Sequence, residues 1–69
     1  MSVERSHVDY LSDILEAAGK VTDFVAGMTA EEFAKDDKTI FAVIRGLEII
    51  GEATKRIPAT FREQHPEIP

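Results

Sequence analysis

Hydrophobic positions crowd most densely between Thr39 and Ile57, TIFAVIRGLEIIGEATKRI, and recur there at helical spacing. At about 100° per residue, Ile40, Val43, Ile44, Leu47, Ile50, Gly51 and Ile57 fall on one face. Ala42, Gly46, Ile49 and Ala53 extend that face round one flank. A single polar stripe remains, carrying Arg45, Glu48, Glu52, Lys55 and Arg56, with Phe41 in line with it. Apolar or small side chains therefore occupy roughly 200° of the circumference, about twice what a surface helix usually covers. A helix of this kind is the element the rest of the chain must pack around.

Upstream, Leu11, Ile14, Leu15, Ala18, Val21 and Val25 repeat at three- and four-residue steps, with Tyr10, Ala17 and Phe24 widening the face. This predicts a first long helix beginning after Ser2 as N-cap, running to about Ala26 and stopped by Gly27. Gly19 inside it costs about 1 kcal/mol relative to alanine unless a close helix crossing compensates. Thr29 followed by Glu32 reads as a capping box for a short second helix, TAEEFAKD, with Phe33 as its anchor. Asp36 or Asp37 caps the third helix, and Pro58 is expected to end it. PATFREQH then forms a further turn or two, with Phe61 inward, before Pro66 and Pro69 force an extended exit. Short connections make consecutive long helices antiparallel neighbours. The predicted class is all-α: an antiparallel helical hairpin or partial up-and-down bundle, residues 1–69 forming a single helical domain.

Composition narrows the picture. A chain of 69 residues buries only about 60% of the surface it exposes unfolded, so its stability margin is thin. No cysteine is present to supply a disulfide or a thiolate metal site, which suits a reducing cytoplasm. Thirteen acidic against 8 basic residues give a formal charge of -5, which argues against holding nucleic acid by bulk field alone. No apolar run approaches a membrane span, and MSVERSHVDY lacks the apolar stretch of a signal peptide.

Candidate chemistry is sparse. His7, four residues before Leu11, and His65, before Pro66, read as structural or surface histidines. No HExxH or cysteine set suggests a metal, and Gly46 and Gly51 lie within a helix as small packing positions rather than in a phosphate loop. Glu48 and Glu52 are the only candidate carboxylate pair, and no histidine follows either by three residues, as a di-iron site would ask. The polar stripe says more. Arg45 with Glu48, Glu52 with Lys55 and Glu52 with Arg56 are spaced for pairing along the helix, worth a few tenths of a kcal/mol each. The sharper reading makes Arg45, Glu48, Glu52 and Lys55 a groove that meets a partner or nucleotide, and Phe41 in the same stripe favours contact.

The segments YLSDILEAAGKV, MTAEEFAKDDKT, AVIRGLEIIGEATKRIP and FREQHPEIP, in this order and spacing, resemble the N-terminal half of the HepT-like proteins of the HEPN superfamily. LEIIGEA followed by FREQHPEIP is the most specific part. The resemblance implies an all-α bundle that forms a homodimer and is neutralised by a nucleotidyltransferase antitoxin. It also implies a toxin-antitoxin ribonuclease acting on RNA without metal or other cofactor, through an arginine followed after four to six residues by a histidine. A tyrosine two positions later is the antitoxin's target for AMP. Histidine can move a proton to or from a ribose hydroxyl while arginine stabilises charge developing on phosphate.

Here that motif is missing. Arg62 and His65 are too close together, Arg56 has no histidine at the right spacing, and the resemblance places the motif after Pro69. No residue of this chain is therefore read as catalytic, and the chain alone is expected to be inactive. It is either a piece of a longer protein whose C-terminal helices are absent, or a natural truncation that keeps the packing half. The alternative function is a non-catalytic module for dimerisation or nucleotidyltransferase binding.

Overall fold

The structure, a computed structural model, describes residues 5–66. It contains α1 (His7–Val25), α2 (Ala30–Ala34) and α3 (Asp37–Gln64), with no strand among the described residues. Each helix begins at a cap the local sequence dictates. Ser6 accepts from the amide of Asp9 while Asp9 accepts from the amide of Ser6, a reciprocal box at the mouth of α1. Ser2, the expected cap, lies outside the described residues, and α1 begins after Ser6, later than the start after Ser2 that the sequence suggests. Thr29 and Glu32 form the predicted box on α2, which is a little over one turn and shorter than the TAEEFAKD expected. Asp36, rather than Asp37, caps α3 by accepting from the amide of Thr39 at 3.0 Å. Gly27 ends α1's reach: its φ of 76° is open to glycine and costly for residues with a Cβ.

Pro58 does not end α3, which continues without a break to Gln64 and absorbs the turns expected of PATFREQH. Proline removes one backbone donor and crowds the preceding turn, but it does so in a helix already held from the side. Ala53 is buried and Ile57 half-buried before it, and the next two turns run on to the contact between Gln64 and His7 of α1. Thr54 Oγ1 donates to the Ile50 carbonyl at 2.7 Å, and Thr60 Oγ1 donates to those of Arg56 and Ile57 at 3.1 Å, bonds of the kind found where helices bend.

α1 and α3 pack against each other along their lengths, and α2 touches α3 with Phe33 half-buried, so the predicted antiparallel hairpin forms. Its seam is the small-residue flank of α3. Gly46 and Ala53 are buried there, Gly46 against Ala17 and Val21 of α1, and Ala17 is itself buried. A Cβ at Gly46 would run into Cγ2 of Val21, so this glycine sets how closely the helices approach. Gly51, read from sequence as a second such position, has no atom within 4 Å of a would-be Cβ, and neither has Gly19. Small residues at the seam rotate the larger apolar ones aside: Leu15 is 74% exposed, Leu47 56%, Ile44 48% and Leu11 45%. Principal extents of 50 × 30 × 15 Å describe a slab one helix layer thick. A stable domain ordinarily needs two layers around its core.

Candidate functional site

Helical geometry divides the slab into two broad faces. With Gly46 and Ala17 at the seam and the helices antiparallel, Leu11 and Leu15 turn to the same side as Ile44 and Leu47. Arg45 and Ile49 of α3 turn to the other side, with Asp13, Glu16 and Lys20 of α1. Here the two helices bound a cleft of about 240 Å³, lined by Ala17, Lys20, Val21, Phe24, Ala42, Arg45, Gly46 and Ile49. It continues along α1 past Asp13 and Glu16 into a second hollow of about 180 Å³. The floor is apolar because the seam is built of small residues; the rim is charged because the polar stripe borders it.

Of the residues singled out from sequence, Arg45, Glu48, Glu52 and Lys55 are all exposed on α3, and Arg45 alone of the four lines the cleft. The pairs their spacing allows are not made. Among the described residues the ion pairs are Arg5 with Asp13 at 2.7 Å and Lys20 with Glu16 at 3.3 Å, both near or within α1. Arg5 also lies over the Tyr10 ring, 4.7 Å from its centroid. The α3 stripe thus presents both signs of charge to solvent, and Phe41 beside it is 74% exposed. Pairing a long exposed side chain costs rotamer entropy and returns little Coulomb energy in water, so unmade pairs on a helix surface are unsurprising.

Sequence spacing did not anticipate a cluster at the open end of the hairpin. His7 Nδ1 and Gln64 Oε1 are hydrogen-bonded at 2.6 Å, tying the start of α1 to the end of α3. Phe61 lies edge-on to the His7 ring, with centroids 5.2 Å apart, and 4.6 Å from His65, which also lies 5.8 Å from His7. These residues are 54 or more positions apart in sequence across the α1–α3 gap, so only the antiparallel pairing could have signalled them. Phe61 packs as expected, although 38% of it stays exposed. The arrangement joins the two helix ends, and Arg62, three residues before His65, is exposed. Among the described residues no three His, Cys, Asp or Glu side chains gather as a metal site, and no helix is long and apolar enough to cross a membrane.

Residues 14–69 match the family described as Ribonuclease HepT-like. The chain is 55% identical over 67 residues to a probable ribonuclease HepT of Thermococcus cleftensis, a match that covers 97% of this chain and 61% of that protein. It is 50% identical over 60 residues to a candidate RNase of Methanocaldococcus jannaschii, covering 87% of this chain and 50% of the relative. A candidate RNase of Caldanaerobacter subterraneus is 43% identical over 60 residues, covering 54% of its own length. The chain thus spans half to three-fifths of these relatives. No solved structure matches it.

Proposed function

Because this chain belongs to the HepT-like ribonuclease family, we propose that it is the N-terminal helical part of a toxin-antitoxin ribonuclease whose Arg-x4-6-His motif lies beyond residue 69. The observation that carries this reading is an alignment over 97% of the chain with a protein of which it covers 61%. The 69 residues contain no arginine followed after four to six residues by a histidine. Residues 1–69 then pack and dimerise, RNA is the substrate of the longer form, and a nucleotidyltransferase is its antitoxin, all in the cytoplasm and without cofactor. A slab one layer thick supports the dimer, since a second copy supplies the missing layer.

A second reading is favoured by the stripe on α3. Charges of both signs, unpaired among the described residues, suit a non-catalytic module that binds the nucleotidyltransferase or a second copy. Incubating the purified chain with RNA tests the first reading. No cleavage above background is expected. Robust cleavage abolished by His65→Ala would place the active site inside this chain and overturn the assignment of the motif to residues beyond it.

A further inference from the structure

We propose that the cleft between α1 and α3 is occupied by α3 of a second copy of this chain, lying antiparallel about a two-fold axis centred between Glu48 and Ile49. This rests on the dimer reading above and states which face makes the contact. The stripe on α3 is complementary to itself. Turned end for end about that centre, Arg45 stands opposite Glu52 of the second copy, and Glu52 opposite its Arg45. The same centre sets Phe41 opposite Arg56 of the second copy, a cation against an aromatic ring that is 74% exposed in the single chain. Two unlike pairs satisfied by one axis define a register.

The unmade pairs within α3 fit this arrangement. Arg45, Glu52 and Arg56 are spaced to pair along their own helix and, among the described residues, make no ion pair, so their charges can meet a partner's. Exposed ion pairs bind weakly unless apolar surface is covered beside them. The cleft supplies that surface: Ala17, Val21 and Ile49 form an apolar floor next to the stripe, and Phe24 stands at its edge, 48% exposed. Glu48 and Lys55 fall at the outer margin, where water reaches them.

Other occupants fit less well. A strand of RNA would have to run past Asp13, Glu16, Glu48 and Glu52 on a chain of net charge -5. On the opposite face the exposed side chains Leu11, Leu15, Ile44 and Leu47 are all apolar and offer no charge of their own to fix one register.

The absence of cysteine makes cross-linking decisive. Ile49→Cys, beside the axis, should form a disulfide-linked dimer under mild oxidation, and Leu15→Cys on the opposite face should not. Ile49 is half-buried, so a second readout uses exposed positions: chains carrying Phe41→Cys mixed with chains carrying Arg56→Cys should cross-link to each other. By light scattering, Arg45→Glu or Glu52→Arg alone should weaken the dimer about tenfold or more by opposing like charges, and the two combined should restore it. A dimer that cross-links through Leu15→Cys and ignores the charge changes would overturn the α3 contact and leave the dimer reading intact. A chain that stays single at high concentration would overturn both. A single chain that binds an RNA oligonucleotide, with binding lost in Arg45→Glu, would assign the cleft to RNA instead.

Discussion

At Gly46 the hairpin is at its tightest, and the four glycines of this chain separate cleanly by what surrounds them. Gly46 faces Val21, while Gly19 and Gly51 have open space where a Cβ would stand. Alanine at either open position should stabilise the chain by about 0.5–1 kcal/mol, the helix-propensity gain. Gly46→Ala gains the same propensity but forces Val21 aside, with a net loss of about 1 kcal/mol expected. Val21→Ala in the same chain should recover part of that loss, whereas it should be purely harmful alone. Urea unfolding followed by circular dichroism checks the series, at fixed chain concentration.

Asp36 shows how one cap responds to pH. The Thr39 amide, donating to its carboxylate, holds its pKa below the ordinary aspartate value, with a smaller contribution from Lys38. A carboxyl whose pKa is lowered on folding binds its proton more readily when unfolded, so its stabilisation is complete above the ordinary value and fades as pH falls through the folded one. Asp36→Asn keeps an acceptor for the cap and removes the titration. Its unfolding midpoint should therefore depend less steeply on pH below about pH 4 than that of the parent chain.

Among the elements, the caps of α2 and α3 and the Gly27 stop of α1 were legible from sequence, while the cap of α1, which is Ser6 and not Ser2, and the end of α3 were not. The Thr29 box and the Asp36 cap depend on residues three apart, and such local hydrogen bonds form whatever the rest of the chain does. Pro58 was misread because its penalty is local while the support for α3 on either side of it comes from α1, through Ala53, Ile57 and the Gln64 bond to His7. If so, Pro58→Ala restores a donor to the helix and should stabilise the chain by at least about 1 kcal/mol, with helix content by circular dichroism unchanged. A large rise in helix content would instead mean that α3 breaks at Pro58 in solution. The seam was half legible: periodicity placed Gly46 and Ala53 on the flank of the apolar face, but only packing shows that the small flank meets α1 and leaves Ile44 and Leu47 outside. The stripe was legible as a stripe, and its internal pairs were available without being made.

For the whole molecule, thickness governs the account. Extents of 50 × 30 × 15 Å leave both broad faces open, and among the described residues the buried core is Ala17, Gly46 and Ala53. Contiguous exposed apolar surface on that scale is uncommon in a stable monomer. Its relatives in the family are longer, and it spans 61% of one of them and 50% of another. In the proposed reading, packing between copies supplies the second layer, and cleavage belongs to residues outside these 69. The mass of the purified chain by light scattering, measured across concentrations, tests that claim directly. The account predicts a dimer, two chains of 7.7 kDa each, with helix content and thermal stability falling as dilution separates them. A folded, well-dispersed monomer with a concentration-independent melting temperature would contradict it.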